Sequence, residues 1–185
     1  EYLKCYENQV LEDWYELIRH ISVSETGEGI ETCCDWIQKK MEEIGIQVTK
    51  YSVKPAPVLV GRFGNDPEKK TVLIYAHYDV KPAGERKLWH SDPFVPTVRD
   101  GKVYARGSAD NKSPLMAHLK ALEYFIRRKM EVPVNVIFVF EGDEECGSRG
   151  LEEFLAEHRT ELAADLVFFS DGPKDPSGLP IIALG

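Results

Sequence analysis

A histidine and an aspartate stand two residues apart where one apolar run of the sequence ends. His77 and Asp79 follow the run TVLIYA at residues 71–76. On an extended segment, residues two apart point the same way, so Asp79 can reach one ring nitrogen of His77 while the other stays free. A carboxylate in that position commonly orients a histidine that binds a metal. We therefore expect His77 to be a metal ligand and Asp79 to orient it.

Acidic residues follow the other apolar runs of the chain. One such acid alone is more simply a solvated loop residue, but in an open α/β sheet the carboxyl ends of parallel strands face one crevice. Several carboxylates in one crevice repel one another unless a cation neutralises them. Imidazole together with carboxylates suits zinc or manganese better than calcium, which prefers oxygen alone. The acids that follow these runs are Glu141, Asp143, Glu144, Glu145 and Asp171, and Asp110 stands just before a predicted helix.

The pattern of the chain predicts the elements that would bring these residues together. Buried strands alternate with helices, which predicts an α/β domain with a mostly parallel, mixed sheet. The turn residues Asp100-Gly101 predict a hairpin, and Ser113 followed by Pro114 predicts a helix with Ser113 as its N-cap. The predicted strands are QVTKYSV, PVLVGRF, TVLIYA as a central strand, VNVIFVF and LVFFS; the predicted helices include one from near Gly27–Gly29 to Gly45 and LEEFLAEH.

Composition excludes some classes of function. The chain has 185 residues, 43% of them hydrophobic, which suffices for one α/β domain. A net charge of −8 disfavours nucleic acid, and no apolar run approaches the roughly 18 residues of a membrane span. Cys5, Cys33, Cys34 and Cys146 form no metal-binding or disulfide pattern, which predicts free thiols. We expect a soluble, cytoplasmic protein.

Five motifs together carry a family resemblance. HYDVKP, LWHSDPF, DGKVYARGSADNK, FVFEGDEECGS and SDG span most of residues 70–175. In order and spacing they resemble the catalytic domain of the aminoacylase, carboxypeptidase and dipeptidase family of co-catalytic zinc metallopeptidases. The residues of the first two motifs are most similar to those of the carnosine-type cytosolic nonspecific dipeptidase branch. The resemblance implies a three-layer, zinc-peptidase-like catalytic domain.

The resemblance also implies a role for each site residue. His77 would bind the first metal, Asp171 would complete its shell, and Asp110 would bridge two metals. A cis Asp110–Asn111 peptide bond would aim the carboxylate of Asp110. Glu145 would bind the second metal and Glu144 would be the general base. Two zinc ions per full-length subunit are implied, with manganese as a possible substitute.

The chain departs from the family pattern at several positions. Asn111 stands where a second acid is common, and Ser113 stands where a glycine is frequent. The family's histidine ligand of the second metal lies far downstream, after an inserted lid domain. His90, His118 and His158 do not stand in that motif. Residues 1–185 are therefore expected to be the N-terminal part of the catalytic domain, without the lid and the C-terminal half.

These inferences favour a two-metal hydrolase that cleaves the peptide bond of short peptides through a metal-bridging water. The alternatives are an N-acyl amino-acid deacylase or desuccinylase of the same family, and a non-catalytic metal-binding fragment. The expected partner is a small peptide substrate, not nucleic acid or a membrane, and the full-length form is expected to be a homodimer through its lid. The isolated chain is expected to be inactive because it is truncated.

Overall fold

The structure, a computed structural model, describes residues 2–172 and 177. Within these residues the chain forms four α-helices and seven strands, and the largest sheet has five strands. The elements are α1 (Tyr2–Arg19), α2 (Ile30–Ile44), β1 (Gln47–Tyr51), β2 (Val58–Phe63), β3 (Thr71–His77), β4 (Thr97–Arg99), β5 (Lys102–Tyr104), α3 (Lys112–Arg127), β6 (Asn135–Glu141), α4 (Leu151–Glu157) and β7 (Leu166–Phe169).

The large sheet is mixed and has the order β1-β2-β6-β3-β7. Strand β3 runs parallel to both β6 and β7, whereas β2 is antiparallel to β1 and to β6. Four of the five strands therefore point the same way and β2 alone is reversed. This confirms the predicted α/β class and mixed sheet.

Helices cover both faces of the sheet. Alternate residues of β6 divide between two apolar clusters: Phe138 and Phe140 pack with residues of α1, α2 and α3, whereas Ile137 and Val139 pack with Phe154 of α4. Strand β3 alternates in the same way. A strand that is apolar on both faces is expected in the middle of a three-layer α/β domain, and this explains why TVLIYA and VNVIFVF have near-continuous apolar sequences.

The ends of helix α2 and the β4–β5 turn lie where the sequence predicts them. Helix α2 lies between Gly29 and Gly45, which both have positive φ. The β4–β5 turn uses Asp100 and Gly101 with φ of 50° and 71°, as a tight hairpin requires. Cys33, Cys34 and Cys146 are free thiols, while the side chain of Cys5 lies outside the described residues.

The predicted start of α3 at Ser113 and Pro114 is wrong by two residues. The helix begins at Lys112 after Asn111, and the N–H of Leu115 donates to the carbonyl of Asn111. Pro114 is tolerated inside the first turn because the first N–H groups of a helix have no intrahelical acceptor. The Asp110–Asn111 bond is cis, as the resemblance implied.

Strand β7 leaves an apolar edge open. Within residues 2–172 it pairs with β3 on one side only, and Val167 and Phe169 are 48% and 61% exposed. An exposed, apolar edge strand offers N–H and C=O groups to another chain. We therefore expect the 185-residue chain to self-associate with rising concentration, and Val167→Lys to suppress this because a lysine on the edge opposes strand pairing.

Sedimentation velocity over a concentration series measures this effect. Val98→Lys is the matched control, because Val98 is 58% exposed but lies in the separate β4–β5 hairpin. It should associate like the unmodified chain. Equal association of both variants would contradict a role for the β7 edge.

Candidate metal centre

His77 and the acidic residues lie at one end of the sheet, where the parallel strands end. His77 is the last residue of β3 and pairs in register with Glu141, the last residue of β6. Asp171 follows β7 by two residues, and Asp110 precedes α3. The expected convergence of strand ends therefore holds for the described chain.

Three carboxylates surround one nitrogen of His77. Its Nε2 lies 3.0 Å from Oδ1 of Asp110, 3.4 Å from Oδ2 of Asp171 and 3.6 Å from Oε2 of Glu144. The imidazole itself is completely buried, whereas the three carboxylates are partly exposed. The site thus consists of three partly exposed carboxylates around one buried imidazole.

The other nitrogen of His77 faces Asp79. Nδ1 lies 3.2 Å from Oδ1 of Asp79 and 3.1 Å from its backbone oxygen. The N–H groups of Glu144 and Glu145 donate to the two carboxylate oxygens of Asp79, at 3.2 and 3.1 Å. Asp79 therefore fixes the orientation of the ring and also the loop that carries both glutamates.

Charge explains the protonation of this pair. Burial alone would lower the pKa of His77, but the hydrogen bond and charge of Asp79, with the charges of Glu144 and Asp110, raise it to about 9. Burial would raise the pKa of Asp79, yet its bonds with His77, Ser24 and the Glu145 N–H keep it below the usual value. Without a metal, His77 is the cation that the carboxylates share.

The donor atoms suit a metal ion. His77, Glu144 and Asp171 each offer a ligand atom, and these atoms lie within 4.8 Å of one another. Zinc binds histidine nitrogen and the carboxylate oxygen of Asp and Glu, and its catalytic sites commonly have three protein ligands. Burial raises the pKa of Glu144, and the charges of Glu145, Asp171 and Asp79 raise it further, so a cation here would relieve the repulsion between the acids.

Glu145 differs from the other proposed ligands. Its Oε2 lies 2.8 Å from Nζ of Lys81, and its side chain is 9% exposed. Glu141 accepts from Tyr75 and Ser148, so it too has partners apart from the cluster around Nε2 of His77. The structure therefore brings His77, Asp110, Glu144 and Asp171 together. Glu145 lies beside them and forms an ion pair with Lys81.

Comparison with known proteins agrees with the resemblance in the motifs. A sequence profile described as peptidase family M20/M25/M40 matches residues 73–182. The chain belongs to this family. That membership implies a metal cofactor, and the group around His77 could hold one.

Several M20/M25/M40 relatives are similar over much of the chain. A Cys-Gly metallodipeptidase of Schizosaccharomyces pombe is 43% identical over 147 residues, which are 74% of this chain and 31% of the relative. The Beta-Ala-His dipeptidase of Homo sapiens is 39% identical over 70% of this chain and 26% of the relative. The crystal structure of human carnosine dipeptidase 1 matches with a TM-score of 0.88 and 30% identity, over 92% of this chain and 40% of that one. The chain therefore spans about a quarter to two fifths of the length of these proteins.

The described helices also address the prediction about membranes. No helix within residues 2–172 combines the length and apolar character that a membrane span requires.

Sequence reasoning missed Lys81 as a part of the site. It is the cation nearest to Glu145, and it stands two residues after Asp79 in HYDVKP. The two-residue spacing that pointed to Asp79 could have pointed to Lys81 as well. Pairing with Glu145, however, also requires the neighbouring positions of β3 and β6.

We expect the affinity of this chain for a metal ion to depend on pH. A metal that binds Nε2 at pH 7 must displace a proton, because the pKa of His77 is raised to about 9. Affinity for Co²⁺ should therefore rise by about tenfold per pH unit from pH 7 and level off near that pKa. Titration against a competing chelator at several pH values measures this.

Asp79→Asn should make the rise level off at a lower pH, since the amide no longer stabilises the imidazolium. Asp92→Asn is the control, because Asp92 pairs with Arg86 on the surface, and it should keep the original profile. An affinity that stays constant between pH 7 and 9 would contradict the shared-proton account of His77.

Proposed function

We propose that the chain supplies most of the metal centre of a two-metal dipeptidase. The observation that carries this proposal is the convergence of Asp110, Glu144 and Asp171 on Nε2 of His77 in a chain of the M20/M25/M40 family. The names of its relatives describe hydrolysis of dipeptides. Those proteins are much longer, so this activity is proposed for the full-length parent.

We assign the first metal to His77 and Asp171, with Asp110 shared between the first and second metals. Glu145 is the proposed ligand of the second metal. Its present partner, Lys81, is 64% exposed and can turn into solvent when a cation takes over the neutralisation of the carboxylate. Zinc is the proposed ion, because imidazole with carboxylates is a common zinc set, and manganese is the substitute.

Two metals held by these residues would polarise the scissile carbonyl and lower the pKa of the attacking water. Glu144 supplies the proposed base, because its Oε2 lies beside the cluster, 3.6 Å from Nε2 of His77, and a general base must stand within reach of the proton that it takes. Glu144 would take the proton of the water and pass it to the leaving amine. Asp79 keeps the imidazole of His77 in its binding orientation throughout.

The adjacent glutamates leave one assignment to test. Glu144 also belongs to the group that could hold a metal, so its role could be exchanged with that of Glu145. In the full-length protein, Glu144→Gln should lower turnover of a dipeptide by about 10²- to 10⁴-fold while zinc content stays the same, because the amide keeps the shape but takes no proton. Glu153→Gln, an exposed change on α4, is the control.

Loss of zinc together with turnover in Glu144→Gln would show that the roles are exchanged. The assay should include an N-acyl amino acid, since preferential hydrolysis of that compound would replace the dipeptidase proposal with a deacylase. The proposed homodimer through the lid and the cytoplasmic location stay predictions.

The 185-residue chain itself should bind one zinc ion tightly and show no dipeptidase turnover. His77, Asp110 and Asp171 give the first metal three protein ligands, which suffices for a catalytic-type site. Among residues 2–172 we assign to the second metal only Glu145 and a share of Asp110. Calorimetry measures the stoichiometry, and Glu145→Gln should leave it at one; two tight sites, or turnover that a chelator abolishes, would contradict the assignment.

A further inference from the structure

Asp171 lies where the sheet no longer supports the chain. The last pair between β3 and β7 is Tyr75 with Phe169, so Ser170 and Asp171 extend beyond the ladder. Strand β7 is also the edge of the sheet within the described residues. Asp171 nevertheless reaches to 3.4 Å from Nε2 of His77, and something other than strand pairing must hold it there.

Helix α3 provides two contacts to the residue before Asp171. Nδ2 of Asn111 donates to the backbone carbonyl of Ser170 at 3.0 Å. Nε2 of His118 forms a 2.8 Å hydrogen bond with Oγ of Ser170, and the His118 ring meets Phe168 edge-on at 5.5 Å. Asn111 directly precedes α3 and His118 lies within it, so both contacts come from the N-terminal half of this helix and its cap.

Burial makes these contacts well suited to a fixed geometry. Asn111 is 1% exposed, and burial lowers the pKa of His118 below its usual value, so the ring is neutral at pH 7. A carboxylate in place of the Asn111 amide would have no N–H to donate to the Ser170 carbonyl. The contact is therefore specific to the amide.

We propose that His118 and Asn111 are positioning residues that hold Asp171 in the metal centre through Ser170. The proposal rests on the proposed function, because Asp171 is a ligand only if that site binds a metal. The hydrogen bonds that their side chains make go to Ser170, although Asn111 also follows Asp110 directly in the chain. They act by fixing the backbone carbonyl and the hydroxyl of Ser170, so that the next side chain meets the imidazole.

The affinity of the 185-residue chain for Co²⁺ tests the proposal, with the visible spectrum of the bound ion as a second readout. His118→Leu and Ser170→Ala each remove one side of the same hydrogen bond. Each should weaken binding by about tenfold, the lower range for residues that support metal ligands, and should alter the spectrum alike. The double variant should be no weaker than either single variant, because the pair acts as a unit.

Conservative variants separate positioning from folding. Ser170→Thr keeps the hydroxyl and His118→Gln keeps a hydrogen-bonding group, so both should restore affinity toward that of the unmodified chain. His90→Leu changes an exposed histidine and should leave affinity unchanged. Additive losses in the double variant, or full affinity in His118→Leu, would overturn the proposal.

His77→Ala tells the two proposals apart. If it abolishes binding while His118→Leu and Ser170→Ala bind normally, the metal centre stands and the positioning role is wrong. If His77→Ala binds Co²⁺ as tightly as the unmodified chain, the proposed site fails, and the positioning role fails with it.

Discussion

The buried pair of His77 and Asp79 is the interaction on which the rest of the site depends. Both side chains are fully shielded from solvent, and removing one partner of such a buried pair typically costs about 3 to 5 kcal/mol because the other charge is left uncompensated. The carboxylate oxygens of Asp79 also accept hydrogen bonds from the N–H groups of Glu144 and Glu145. One carboxylate thus orients the imidazole of β3 and also fixes the loop after β6, so two strand ends share a single anchor.

That anchor is itself held by the segment after α1. The N–H of Val80 donates to the carbonyl of Ser22, and the hydroxyl of Ser22 donates to the carbonyl of Tyr78. The ammonium of Lys112, which is 1% exposed, donates to the carbonyls of Leu17 and His20 near the end of α1. Lys112 follows Asp110 by two residues, so its contacts couple the end of α1 to Asp110. The contacts of Ser22 couple the segment after α1 to the residues that flank Asp79.

The sequence predicted the contacts that depend on short spacing and missed those that depend on how elements pack. The pairing of His77 with Asp79 follows from the two-residue repeat of an extended chain, and the positive-φ ends of α2 follow from Gly29 and Gly45. The bonds from α3 to Ser170 join residues 59 and 52 positions apart, and they exist only because α3 lies beside the end of β7. No local pattern encodes that placement. The roles of Glu144 and Glu145 escape local patterns for a related reason: adjacent residues of the same type differ only in the direction that the folded loop gives them.

The way the acids are partnered distinguishes structural carboxylates from those available to a ligand. Asp143 has a bidentate partner in Arg149, Glu141 accepts from Tyr75 and Ser148, and both are nearly inaccessible to solvent. Asp110, Glu144 and Asp171 instead share one imidazole among three carboxylates and remain open to solvent on one side. Asp79 also faces the single positive charge of His77, so Asp110, Glu144 and Asp171 keep a deficit of positive charge, and bringing such carboxylates together is unfavourable without a counterion. A divalent cation would match that deficit in charge, and it could enter from the exposed side without breaking any contact that holds the buried acids.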